Sequence, residues 1–322
     1  MASTRLSDVI VPNVFAKYMI RETAEKARIF QSGLMQSNGV IASFLAGGGT
    51  TINLPHWNDL SGTENISSDN ETTNATPLKV TAANDVAIRH NRNQGWSSAD
   101  LVAALAGDDP LAMVTNRVST YWANQFEKMM IATLNGLVAD NIATNSGDMV
   151  KDITGSTISA EAIIDAAATM GDADDRLSTI VMHSKVYAHL AKLNLIDFVP
   201  DSEGKVRFPT YLGYQVIRDD DCYTTASVAH TYLLARDAFA WGEGTPRVPV
   251  EVDRKPSGGN GGGVEELWTR REFVMHPYGF KWDGGSMAGL SPTNVELANA
   301  ANWSRVATSR KQVGIAVLIS NI

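Results

Sequence analysis

Residues 61–77 read SGTENISSDNETTNATP. Ile66 and Ala75 are the only aliphatic side chains in that stretch, so it cannot bury a core of its own. Before it stands TTINLPHWNDL (50–60), which alternates weakly and carries Pro55, a residue that sheets tolerate at an edge or a strand end. After it stands PLKVTAANDVAIRHNRNQGW (77–96), with strand character around LKVTA and DVAIRH. Residues 50–95 therefore read as a long, mostly polar two-stranded arm with a loose tip. A lone two-stranded hairpin is marginal in water, so this arm has to lie on some other surface.

Working outward, NVFAKYMIRETAEKARIFQ (13–31) places Phe15, Met19, Ile20, Ala24, Ala27 and Phe30 at helical spacing and predicts an amphipathic helix behind an extended VIVP. SGLMQSNGVIASFLAGGG reads as short pieces that run into a flexible glycine triplet, Gly47 to Gly49. Beyond the arm, Asp109-Pro110 is a strong helix start, with Asp at the N-cap and Pro at the first helical position. Val114, Val118, Trp122, Phe126, Met129, Met130, Leu134, Leu137, Val138 and Ile142 then trace one face towards Asn145-Ser-Gly147. At 1.5 Å per residue that helix is a rod of roughly 50 Å. Its Met and aromatic stripe is ordinary core rather than a cofactor box.

The next hundred or so residues alternate. SAEAIIDAAATMG (159–171) reads as a helix ending on Gly171, LSTIVMH (177–183) as a buried strand, and SKVYAHLAKLNL (184–195) as a helix capped by Ser184. YLGYQVIRDD (211–220) and TYLLARDAFAWG (231–242) read as strands, which makes a compact α/β unit. PSGGNGGG (256–263) is a hairpin tip, since no GK[ST] follows it. VEELWTRREFVMHPYGFKW (264–282) is a long strand, and the last residues hold a short helical piece and a closing strand, VGIAVLI.

The charge pattern excludes one class of function. The net charge is −8 and no basic block occurs, so the chain lacks the clustered Lys and Arg with which proteins grip phosphates. Hydrophobic residues make up 44% and charged residues 19%, the composition of a well-cored globular chain. No apolar run approaches the roughly 20 residues of a membrane helix. The single cysteine, Cys222, rules out an internal disulfide and reads as a buried or loop thiol. The Asn65, Asn70 and Asn74 triplets match the glycosylation pattern only because such loops are rich in Asn, Ser and Thr.

A catalytic constellation is not legible. His183 and His189 are not spaced to share a helix face as zinc ligands do. His56, His90, His230 and His276 stand apart from one another and read as structural or surface residues. No GxSxG elbow occurs. The run Asp219, Asp220, Asp221 could hold a cation but reads better as a solvated loop. The residues predict no enzyme, no metal and no cofactor.

Taken in order, an N-terminal arm with a helix, a polar hairpin arm, a long helix, an α/β unit and a return strand resemble the major capsid protein of tailed bacteriophages, the Hong Kong 97-like fold. MHSKVYAHLAKLNLIDF (182–198) and FPTYLGYQVIRDDD (208–221) look like the helix and following strand of that family's axial domain. REFVMHPYGFKW (271–282) looks like its peripheral-domain strand, and LANAANWSRVATSRKQVGIAVLISN, with Trp303, like its closing segment. The resemblance implies an α+β chain divided into an N-terminal arm (1–49), an extended loop (50–95), a peripheral domain with a spine helix (96–150), an axial domain (151–250), peripheral strands (251–290) and a closing segment (291–322).

It also implies pentamers and hexamers of one chain in an icosahedral shell around double-stranded DNA, in a virion assembled in the bacterial cytoplasm. A separate scaffolding protein is expected, because the helical arm begins within about 12 residues of Met1. A portal and a decoration protein are further expected partners. His56, Trp57, Asn65, Asp69, Glu71 and Lys79 would lie at the inter-subunit arm, and Asp219, Asp220 and Asp221 in an axial-domain loop. Some members of the family join an arm lysine to a neighbour's asparagine; here Lys79 would be the lysine, with Asn294, Asn299 and Asn302 as partners by region only. The alternatives are an encapsulin-type compartment shell, which shares the fold, and an α/β ligand-binding protein or enzyme.

Overall fold

The structure, a computed structural model, describes residues 32–37, 39–58, 60, 62–70, 72, 74–101, 110–193, 196–200, 206–225 and 227–321. The helix expected over 13–31 and the Asp109 cap lie outside them. In chain order the elements are β1 (Met35–Ser37), α1 (Gly39–Gly47), β2 (Thr51–Trp57), β3 (Ala82–Ile88), β4 (His90–Ala99) and α2 (Pro110–Thr144). Then follow β5 (Val150–Thr157), α3 (Ala160–Ala168), β6 (Leu177–Met182), α4 (Ser184–Lys192), β7 (Asp197–Pro200), β8 (Val206–Tyr211), β9 (Tyr214–Arg218), β10 (Tyr223–Thr225) and β11 (Val228–Ala235). The chain closes with β12 (Phe239–Gly244), β13 (Val250–Lys255), β14 (Val264–Pro277), β15 (Phe280–Trp282), α5 (Asn294–Leu297), β16 (Trp303–Arg305) and β17 (Ile315–Asn321).

Two sheets organise the chain. The five-stranded sheet is built on β14, which pairs with β4 along one edge and with β12 and β13 along the other; β1 adds parallel to β12. The eight-stranded sheet runs β5-β17-β11-β6-β9-β8-β7, with β10 beside β11. Among the described residues β2 and β3 pair only with each other.

Strand alternation places three cores. Phe239, Trp241, Phe273 and Met275 face the buried stripe of α2 (Trp122, Phe126, Met130, Leu134). Ala240 and Val274 point the other way, onto Ile41 and Leu45 of α1 and Ile52 of β2. In the eight-stranded sheet, Ile180, Leu233 and Leu318 meet Ile163 and Ala166 of α3 and Val186 and Leu190 of α4. Ser159 starts α3 by accepting the Ala162 N–H at 3.2 Å, a standard N-cap.

Several expectations need correction. LKVTA is not a strand: ladder pairing stops at Trp57 opposite Ala82, because the polar residues beyond Trp57 form no strand to face it. After the arm, β4 continues through His90–Ala99 as a full partner of β14, so residues 90–95 belong to the five-stranded sheet. Ile142 is exposed; the inward position is Asn141, whose side chain donates to Asp148 Oδ1 at 2.7 Å and accepts the Met149 N–H at 3.1 Å. Helix α4 is capped by His183, whose Nδ1 accepts the Lys185 N–H at 3.0 Å, and Ser184 is its first helical residue.

Three strands read as continuous are each broken at a left-handed turn, the one over 264–282 at Tyr278–Gly279 (φ 84° at Gly279), after which β15 pairs with β16 in a separate ladder. Leu212 (φ 50°) and Gly213 (φ 83°) make β8–β9 a tight hairpin. Asp237 (φ 59°) ends β11, after which β12 crosses into the other sheet. Conversely β17, in the closing segment, returns to the eight-stranded sheet between β5 and β11. The two sheets are therefore stitched three times, by α2 between β4 and β5, by β11–β12, and by the closing segment.

Candidate inter-subunit arm

The arm is anchored at its root and increasingly bare towards its tip. Ile52 and Ala87 are buried in the small core beneath α1, while Asn53, Pro55, His56 and Trp57 are exposed. Thr51 pairs with Ile88 at the root and Trp57 with Ala82 at the far end. Side chains extend the ladder: Asn84 Nδ2 donates to Asn53 Oδ1 at 3.2 Å, and Asn58 Nδ2 to Thr81 Oγ1 at 2.9 Å.

Arg89 fastens the root. Its guanidinium donates to the carbonyls of Leu45 (2.6 Å) and Gly49 (3.0 Å) and pairs with Glu272 of β14. Gly48 (φ 84°) and Gly49 (φ 105°) supply the left-handed backbone that turns the chain from α1 into the arm, a conformation other residues adopt only with strain. Beyond Asn58 the bonds among the described residues are local, as where the Asn70 side chain accepts the Thr72 N–H at 3.0 Å.

This polar finger nevertheless displays large apolar side chains. Trp57 is 75% exposed and Ile66 92%, and Leu60, Leu78 and Val80 are also more than half exposed. Isolated exposed apolar residues are ordinary, but five on one thin projection form a surface without a cover.

The model of the Gp13-like family, described as major capsid protein 13-like, matches residues 13–315. Over 321 residues the chain is 39% identical to the major capsid protein of Bacillus phage SPP1, covering 97% of this chain and 96% of that one. This chain belongs to the major capsid protein 13-like family.

The fold agrees with that membership. The capsid protein is similar to the capsid asymmetric unit of cyanophage Pam1, with a TM-score of 0.57 at 11% identity over 92% of this chain and 93% of that one. It is likewise similar to a chain of Mycobacterium phage Bobi, with a TM-score of 0.56 at 12% identity over 99% and 95%. The chain is thus an α+β phage capsid protein of the Hong Kong 97-like fold, a structural component of the virion.

Of the arm residues singled out from the sequence, His56, Trp57, Asn65, Asp69 and Lys79 of this capsid protein are all exposed on the projection, and Glu71 lies outside the described residues. His56 also reaches inward, its Nδ1 lying 3.7 Å from Asp85 Oδ1. The asparagines named as partners for Lys79 are engaged elsewhere. Asn302 is fully buried, donates to the Glu296 carbonyl at 2.8 Å and accepts from Ser286 N–H at 2.7 Å. Asn299 accepts the Ala301 N–H, and Asn294 Oδ1 accepts from Arg92.

The aspartate run forms a turn after β9. Asp219 Oδ1 accepts the Asp221 N–H at 2.9 Å, and Asp220 Oδ1 accepts the Ser184 N–H at the start of α4 at 3.3 Å. Lys128 of α2 stands 4.0 Å from Asp221 across an open cleft of about 340 Å³. Among the described residues no group of three His, Cys, Asp or Glu side chains is placed to hold a metal ion.

Sequence reasoning missed the residues that join segments. Arg305 pairs with Asp148 at 2.7 Å and Arg310 Nε donates to the Asp148 carbonyl at 3.3 Å, tying the closing segment to the turn after α2, while Arg310 also braces that segment by donating to the carbonyls of Val313 (2.7 Å) and Ile315 (2.8 Å). Burial holds the Arg310 guanidinium down to about 10, with Asp148 acting in the opposite sense. Asp85 and Arg89 were missed for the same reason: a lone charge in a polar stretch carries no periodic signal.

Proposed function

We propose that this capsid protein builds the icosahedral head shell of a tailed phage through pentamers and hexamers, with the arm of residues 50–95 laid on a neighbouring subunit. The observation that carries the reading is the uncovered set Trp57, Leu60, Ile66, Leu78 and Val80 on a projection held only at its root. A neighbour's surface supplies the burial that the arm cannot supply itself; removing an exposed tryptophan from water against a partner is a large contribution at interfaces. The eight-stranded body, drawn mainly from residues 151–250, meets its copies around the fivefold and sixfold positions, with the Asp219–Asp221 turn on that body. The spine helix and the five-stranded sheet form the peripheral body.

The net charge of −8 suits a wall that encloses double-stranded DNA without clasping it. The shell performs no catalysis. Assembly takes place in the bacterial cytoplasm with a separate scaffolding protein, and a portal and a decoration protein complete the head. Electron microscopy of the chain co-expressed with its neighbouring genes tests the reading: closed shells tens of nanometres across are expected, and a monomer or small oligomer refutes it. In the same experiment Trp57→Ala folds normally by circular dichroism but yields few or no closed shells. Shells formed as well as by the wild type remove the arm from the interface.

A further inference from the structure

A cavity of about 680 Å³ opens at the root of the arm, between the hairpin and the body. Phe44 of α1, Leu54 and Pro55 of β2, Tyr278 in the β14–β15 turn and Ala307 give it apolar walls. Phe44 is about half exposed, so that wall is unfinished. Asp85 of β3 is the one carboxylate among the described lining residues, and no lysine or arginine stands with it there.

Asp85 is only 5% exposed, yet its hydrogen bonding is half made. Oδ2 accepts the Gly279 N–H at a long 3.4 Å, and the buried Oδ1 accepts no hydrogen bond among the described residues. Its neighbour at 3.7 Å is Nδ1 of His56, an exposed side chain near the outer end of β2 that can swing aside. Burial raises the Asp85 pKa, with His56 and the Gly279 amide acting in the opposite sense. A buried carboxylate short of donors is costly, and such a group in a native protein calls for a partner. Apolar walls around one carboxylate fit a lysine, whose apolar stem lies along Phe44 and Pro55 while its ammonium reaches Oδ1. The nearest cations along the chain are engaged elsewhere: Arg89 with Glu272, Lys281 with Asp283, Arg305 with Asp148 and Lys311 with Asp172.

The arm itself carries a lysine with nothing to pair with. Lys79 is the only Lys or Arg in residues 29–88 and stands exposed between exposed Leu78 and Val80, with no ion pair among the described residues. The asparagines expected to meet it are bonded within the body. Asp85 of the same chain is six residues away, up to about 20 Å of extended backbone. Resting on the reading of the arm as laid on a neighbouring subunit, we propose that the Asp85 pocket of one copy is the seat for Lys79 of a second copy's arm. Plug and socket are different surfaces of one chain, which is the heterologous contact from which closed rings are built. Each arm then carries its plug near the tip and its socket at the root, so neighbouring arms lock in series around a capsomer.

Subunit release from purified shells in mild urea tests this. Release is expected to be about tenfold faster in Lys79→Ala and in Asp85→Asn, the loss of one charge-assisted contact, and no faster than that in the double variant. Multiplying effects in the double variant, or shells indifferent to both substitutions, overturn the inference while leaving the arm on its neighbour. Failure of the wild type to form closed shells overturns that reading and this inference together. In the unassembled subunit Asp85→Asn should leave the urea midpoint unchanged or raise it, because the carboxylate there has no cation to lose; a lowered midpoint makes Asp85 a brace of its own subunit and overturns the proposal. A second measurement pairs Lys79→Cys with Phe44→Cys and then with Ala307→Cys, the native Cys222 being buried. An interchain disulfide in oxidised shells, seen as a ladder on a non-reducing denaturing gel, is expected for at least one pair. An intrachain disulfide, or none with either pair, overturns the proposal.

Discussion

Acid should unfold this subunit through two histidines that stay neutral in the native state. His90 of β4 and His276 of β14 are each 1% exposed. His90 lies stacked on Phe273, with ring centroids 5.2 Å apart, and its ring nitrogens make no hydrogen bond. Burial lowers its pKa from 6.5 to about 3, helped by Arg92 and His276. Burial likewise lowers the pKa of His276 to about 4, with the nearby Phe280 backbone acting in the opposite sense.

The direction follows from linkage. A base whose folded value is depressed binds its proton more readily when unfolded, so stability is lost as pH falls below the unfolded value of about 6.5. The loss continues down to the folded values of about 3 and about 4. Between pH 7.5 and pH 5 each histidine contributes a loss of about 2 kcal/mol, roughly 1.5 pH units at 1.36 kcal/mol per unit. Urea unfolding of the unassembled subunit, followed by tryptophan fluorescence, should show a loss of about 4 kcal/mol over that interval. In His90→Leu with His276→Leu that share of the pH slope should vanish, whatever the absolute stability of the variant. The difference between the two slopes removes the contribution of all other groups. Parallel pH profiles for wild type and double variant would refute the reasoning.

Three further expectations concern the joints of the fold. Gly136 lies in α2 where a Cβ would strike the Leu297 carbonyl and the Trp303 indole, so Gly136→Ala should cost about 1–3 kcal/mol in urea unfolding despite alanine's better helix propensity; an unchanged or raised midpoint would show that α5 can retreat. Asp148→Ala leaves the Arg305 guanidinium, 7% exposed, without its carboxylate, and should cost about 3 kcal/mol by the same measurement, with Asp148→Asn milder because it keeps an acceptor. Ser159→Ala removes the side-chain cap of α3 and should cost about 1 kcal/mol, read as a shift in the unfolding midpoint with unchanged slope.

Periodicity made most elements legible, and it failed where the chain changes partners. The spine helix from Pro110, the helix after Ser159 and the long strand after the glycine loop each carry a repeat that burial enforces, so reading the repeat finds the element. TYLLARDAFAWG carries one unbroken apolar repeat, yet it holds two strands in two sheets, because Asp237 turns the backbone by a positive φ that composition does not announce. HNRNQGWSSA looks too polar for a sheet and is nonetheless paired over its whole length with β14, because the backbone ladder carries the pairing and two side chains, His90 on Phe273 and Trp96 against Tyr121, anchor it. The arm's existence was visible in its lack of core residues. Its anchor was not, because Arg89 acts through carbonyls at Leu45 and Gly49, and no sequence pattern encodes a carbonyl's position.

The gradient along the arm is itself a mechanical statement. At the root, Ile52 and Ala87 share a core with α1, and Arg89 bonds to two carbonyls and a carboxylate. Five residues further out, at Trp57, the described contacts are hydrogen bonds within the hairpin and one exposed indole. Local stability in proteins tracks buried contacts, so opening free energy falls steeply from root to tip. An arm built this way is set in direction by its own subunit and set in position by whatever covers Trp57. Lengthening the Gly47–Gly49 turn should therefore loosen the direction without unfolding either sheet, since the root core and the β4–β14 ladder do not include it. Hydrogen exchange would register this as faster exchange confined to residues 51–57 and 82–88, with β14 unchanged; faster exchange spreading into β14 would mean that arm and sheet open as one unit.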